Sequence, residues 1–104
     1  MTTTKKQIRR RKPHLAVMHP GEFIKLEYLE PLRMSPSQLA QKLHAPAILD
    51  VLRRERGITA DLALRLGKLF RTSAEFWMNV QGNYELRLAA SSSRLDGIRP
   101  VKTA

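Results

Sequence analysis

Between residues 18 and 90 the apolar positions recur at helical spacing, and proline, glycine and capping residues interrupt them. Pro20-Gly21 precede a first stretch, residues 22–29, with apolar Phe23, Ile24, Leu26, Tyr28 and Leu29. Pro31 is expected to end it, because proline lacks the N–H and disfavours helix in the preceding residue. Ser35-Pro36-Ser37-Gln38 has the form of a capping box, and Leu39, Ala40 and Leu43 make the inner face of a second helix. Pro46 opens a third, from residue 47 to about 54, with Ile48, Leu49, Val51 and Leu52, and Gly57 is placed to end it. Thr59 is the expected N-cap of a fourth helix, with Asp61 in its first turn and a stripe of Leu62, Leu66, Leu69 and Phe70. Thr72 and Glu75 offer another capping box. The fifth helix then runs to about residue 90 with Phe76, Trp77, Val80, Tyr84 and Leu88 on one side.

Nowhere does a clean period of two appear, so the prediction is an all-α domain of five helices. Some seventy residues make a small core, and a homodimer would add buried surface. The fifth helix is the expected interface, through Trp77, Val80, Tyr84 and Leu88. The simpler reading places Trp77 and Phe76 in the monomer core.

The second and third helices are short and joined by a short turn, which is the proportion of a helix-turn-helix unit. In such a unit the second helix enters the major groove while the first crosses the backbone. Arg53, Arg54 and Arg56 at the far end would reach phosphates or a guanine edge. Ser35, Ser37, Gln38 and Gln41 surround a helix start, where N–H groups and the dipole favour a phosphate.

Charge adds to this picture. The 104 residues carry 19 Lys+Arg against 9 Asp+Glu, a net charge of +10. Residues 1–17 hold six of the cations, Lys5, Lys6, Arg9, Arg10, Arg11 and Lys12, and no acid. A nearly balanced domain, 18–90, thus follows a basic arm, 1–17, expected to be flexible and to meet a polyanion. A solvated tail or a contact for an acidic protein is the plainer reading of the arm. Residues 91–104, opened by three serines, read as a flexible tail.

Zero cysteines exclude a disulfide scaffold, a thiolate metal site and a thiol nucleophile. His14, His19 and His44 lack the spacing of a zinc site, so neither metal nor cofactor is expected. No phosphate-cradling glycine loop or nucleophile elbow occurs, and a paired-carboxylate cleft is not expected among short helices. The chain reads as a non-enzyme. No run approaches the roughly 20 apolar residues of a membrane span, and no apolar h-region follows the basic start. Cytoplasmic residence is expected.

Certain strings say more than periodicity does. These are His19-Pro20-Gly21-Glu22, Glu30-Pro31-Leu32, Ile58-Thr59-Ala60-Asp61, Ala63-Leu64-Arg65-Leu66, Glu75-Phe76-Trp77-Met78-Asn79-Val80-Gln81 and Tyr84-Glu85-Leu86-Arg87. In them residues 19–89 closely resemble the HigA/VapI-type antitoxins of toxin–antitoxin systems, a branch of the phage-repressor-like (Cro-type, XRE) helix-turn-helix proteins. The resemblance implies a dimeric all-α antitoxin. It would bind a small ribosome-dependent mRNA interferase of the HigB/RelE type and, with it, repress its own operon through double-stranded DNA. Glu22, Glu27 and Glu30 would suit such a basic toxin. Glu27 and Glu30 are also expected to pair with nearby Lys25 or Arg33.

One stretch departs from the family pattern. Members typically read Leu-x-Val-Pro-x-x-Arg-Ile, whereas here the string is Leu43-His44-Ala45-Pro46-Ala47-Ile48. Two residues are missing at the start of the recognition helix, leaving Ala47, which offers at most an apolar contact to a thymine methyl. Base reading should suffer more than backbone attraction. The alternatives are a protein-interaction antitoxin with weak or non-specific DNA binding, and a solitary XRE-type regulator without a toxin.

Overall fold

The computed structural model describes residues 17–102, and these form five helices joined by short turns. The first, α1, is continuous through three segments: α-helical Pro20–Ile24, π-helical Lys25–Leu29 and α-helical Glu30–Leu32. It is followed by α2 (Pro36–Leu43), α3 (Ile48–Leu52), α4 (Ala60–Phe70) and α5 (Ala74–Ser92). Among the described residues there is no strand.

Local chemistry explains most helix starts. His19 caps α1, its ring Nδ1 accepting the Gly21 N–H at 2.9 Å, with Pro20 at the first helical position. Ser35 and Gln38 form the full capping box of α2, at 3.1 and 2.8 Å. Thr59 caps α4 through the Leu62 N–H. At α5 the expected cap moves by one residue. Ser73, not Thr72, accepts the Phe76 N–H, and Thr72 instead accepts the indole N–H of Trp77 at 2.7 Å.

Pro31 does not stop α1 where the sequence places the stop. The preceding turn is π-helical, with the Glu30 N–H bonded to the Lys25 carbonyl. That wider turn displaces the i−4 carbonyl with which a proline ring ordinarily collides. The helix runs three residues past the expected end, to Leu32, and is capped by Arg33, which adopts a left-handed backbone.

The core is drawn from all five helices. Ile24, Leu39, Ile48, Val51, Leu66 and Trp77 are the large side chains removed completely from solvent. α4 packs along α5, and α1 lies against α3 and α5. Gly21 permits this approach, since a Cβ there would overlap the Val51 carbonyl. Trp77 centres an aromatic cluster, with Phe76, Tyr28, Phe23 and Phe70 at centroid distances of 5.0, 5.3, 5.9 and 6.2 Å. Its burial corrects the expectation that it serves an interface: Trp77 has no exposed surface to offer a second copy.

α5 extends past this core. Trp77 and Gln81 are its buried residues, and residues 85–92 are all exposed. The serine run expected to be linker begins inside the helix, which continues to Ser92.

Candidate nucleic-acid interface

α2 and α3, with the turn at residues 44–47 between them, form a helix-turn-helix pair. At the start of α2, Ser37 and Gln41 are exposed one turn apart on the same face. Ser35 and Gln38 are exposed too, but their side chains already bond the backbone in the capping box. At the end of α2, His44 takes a left-handed backbone, and its N–H and that of Ala45 return to the Gln41 and Ala40 carbonyls at 3.1 Å each. Arg65, from α4, donates to the Leu43 and His44 carbonyls at 2.9 and 3.1 Å. This cation at a helix C-terminus fixes the position of α2 on the domain. In the sequence the one signal for this role is its i,i+4 spacing from Asp61, with which it pairs at 2.8 Å.

The missing residues have a direct structural counterpart. α3 has only five residues, entered through a tight turn in which Ile48, Leu49 and Asp50 donate to Ala45, Pro46 and Ala47 at 2.9–3.2 Å. Three of the five, Ile48, Val51 and Leu52, are buried. The outward side is therefore left mainly to Asp50, with Leu49 and Ala47 half-buried against the core.

Arg53, Arg54 and Arg56 are exposed beyond α3, and each is engaged. Asp50 pairs with Arg53 at 3.1 Å and with Arg56 at 3.3 Å. Arg54 has a left-handed backbone, φ 66°, and reaches across to Glu22 of α1 at 2.6 Å. The structure thus brings the three arginines to one end of α3, but around two carboxylates. Asp50 was missed because a lone acid in a short helix carries no motif. The arm residues Lys5, Lys6, Arg9, Arg10, Arg11 and Lys12 lie outside the described residues.

Gly57 does not end α3 by a left-handed turn; the helix closes earlier, at Leu52. The glycine is needed because a Cβ there would stand 2.6 Å from the Gln81 carboxamide.

The other site residues separate. Glu22 is half-buried and held by Arg54, whereas Glu27 and Glu30 are exposed. Among the described ion pairs neither Glu27 nor Glu30 meets Lys25 or Arg33. On α5, Val80 and Tyr84 are half-buried, Tyr84 edge-on to His19 at 5.0 Å, and Leu88 is exposed. The His19 pKa is lowered, first by burial and then by the Arg54 guanidinium, with Glu22 opposing.

No protein-family model matches the chain. Virulence-associated protein I of Dichelobacter nodosus is 40% identical over 95 residues, covering 88% of both chains. A Pseudomonas aeruginosa protein solved with its 28-bp operator DNA is 41% identical, with a TM-score of 0.77 over 82% of this chain and 99% of that one. The Pseudomonas aeruginosa antitoxin HigA, solved with the higBA promoter, is 45% identical, with a TM-score of 0.68 over 72% of this chain and 84% of that one. This chain belongs to the HigA-type helix-turn-helix antitoxins.

As a HigA-type chain it shares the five-helix architecture of its relatives, and the short α3 is set into that common frame. The HigA-like strings map onto its structural joints. His19 to Glu22 cap and seat α1, Ile58 to Asp61 carry the α4 cap, and Phe76, Trp77 and Gln81 fasten α5 to the rest.

Proposed function

We propose that this protein is a DNA-binding antitoxin that neutralises a HigB/RelE-type mRNA interferase and, as a dimer in the cytoplasm, represses its own operon. The observation that carries the reading is its likeness to a HigA solved with its promoter, at 45% identity. The exposed start of α2 and the arginine end of α3 support it. Ser35, Ser37, Gln38 and Gln41 would meet the phosphate backbone beside a helix start. Ala47, Arg53, Arg54 and Arg56 would lie toward the major groove, and the arm, residues 5–12, would add counterion release. Exposed Glu27 and Glu30 suit a basic toxin, with Glu22 behind them. Val80, Tyr84 and Leu88 would serve the dimer.

The five-residue α3 and the pairing of Arg53 and Arg56 with Asp50 favour a second reading. In it, toxin binding is the main task and DNA is held mostly by charge. Fluorescence anisotropy on the protein's own promoter fragment and on a scrambled duplex, between about 50 and 300 mM salt, separates the two. An affinity gap that survives high salt supports the repressor. Equal binding that disappears with salt supports the second reading. Charge reversal of Glu27 and Glu30 should weaken the toxin complex while sparing DNA.

A further inference from the structure

The outward side of α3 is unusual for a DNA-reading helix. Its one charged group is the carboxylate of Asp50, which accepts a hydrogen bond from Arg53 at one oxygen, at 3.1 Å, and forms an ion pair with Arg56 through the other, at 3.3 Å. Two of the three exposed arginines beyond α3 are therefore held by this one carboxylate. All three side chains stay accessible, Asp50 at 36%, Arg53 at 58% and Arg56 at 47% of full exposure, so the pairs exchange readily with other partners.

We infer that Asp50 is the specificity-determining residue of this shortened α3, an acceptor that retains Arg53 and Arg56 until an exocyclic base amine takes their place. The inference rests on the reading of α2–α3 as a DNA-binding unit. A carboxylate only accepts, and in the major groove the donors are the cytosine N4 and adenine N6 amines. Any other base edge offers the carboxylate no donor, so Arg53 and Arg56 stay on Asp50 and are withheld from the phosphates. At a matching site the amine satisfies Asp50 and the released guanidinium groups turn to the flanking phosphates. Discrimination is thus achieved by penalising wrong sequences, which suits a helix whose one outward polar side chain is Asp50.

The test measures operator and scrambled-duplex affinities for the wild-type full chain, Asp50→Ala and Asp50→Asn, across a salt series. Circular dichroism melts confirm folding of each variant. The wild type should prefer the operator. Asp50→Ala should bind the scrambled duplex at least about fivefold more tightly and lower the operator preference by about tenfold or more. On the scrambled duplex its plot of log affinity against log salt should be steeper by about one to two, as the freed arginines add phosphate contacts. Asp50→Asn, which keeps an acceptor but loses the charge, should retain part of the preference. If Asp50→Ala melts under assay conditions, the asparagine variant alone decides through its scrambled-duplex affinity, which must rise. A wild type with operator preference and variants that keep it unchanged overturns the role of Asp50 but not the DNA-binding reading. A wild type with no preference at any salt overturns both the role of Asp50 and the sequence-specific repressor, and leaves the second reading, in which DNA is held by charge.

Discussion

The Gln81 carboxamide oxygen accepts the Ile58 N–H at 2.7 Å, tying the middle of α5 to the loop that precedes α4. Its nitrogen donates to Glu85 at 2.8 Å, so both ends of a buried amide are satisfied. Gly57 lies against the same amide. Replacing Gln81 by Leu leaves the Ile58 N–H buried without a partner, at a cost of about 1–3 kcal/mol. Gly57→Ala should also destabilise. Urea melts of Gly57→Ala, of Gln81→Ala and of the double variant should show less than additive loss, since the smaller side chain makes room for the Cβ.

Thr72 is the sole described hydrogen-bond partner of the Trp77 indole. Thr72→Val keeps the shape and removes the acceptor, and should destabilise by about 1–2 kcal/mol. Thr72→Ser should restore most of the loss. Trp77→Ala should cost about 3–5 kcal/mol, because it empties the centre of the aromatic cluster. Thermal melts check all three.

Arg54 has a left-handed backbone, a conformation costing a side-chain-bearing residue about 1 kcal/mol relative to glycine, and offsets it in part by the exposed pair with Glu22. In a Glu22→Gln background, where that pair is already gone, Arg54→Gly should stabilise the fold by up to about 1 kcal/mol. DNA affinity should fall at the same time, through loss of a cation. Denaturant midpoints and anisotropy read the two effects separately.

His19 accepts a hydrogen bond at Nδ1, which only the neutral ring can do, and its pKa lies below the ordinary 6.5. The unfolded chain then binds the proton more readily than the folded one. The contribution is complete above pH 6.5 and declines as pH falls below it toward the folded pKa. His19→Asn retains an N-cap acceptor and should flatten that part of the stability–pH curve, measured by melts in a buffer series.

Inserting Pro-Arg between Ala47 and Ile48 lengthens the entry to α3, which begins in a tight turn. Operator preference over a scrambled duplex should rise, as a cation is added where base edges are met. No gain in that ratio would count against the shortened helix as the limit on specificity.

What the sequence determined by itself is the local part. The caps at Ser35 and Thr59, the proline-started helices and the apolar stripes act within about four residues, where neighbours in the chain are neighbours in space. The family was legible for the same reason, since its strings record these joints. The tertiary structure decided what depends on distant partners. Glu22 and Arg54 are 32 residues apart, Ile58 and Gln81 are 23 apart, and no pattern along the chain announces either pair. The same holds for Thr72, which looks like a cap but bonds the indole, and for Gly57, which looks like a helix stop but yields room to an amide. Asp50 is the sharpest case. In the sequence it is one of two acids, with Glu55, near three arginines, and only the five-residue helix, with three positions committed to the core, aims it outward between two of them.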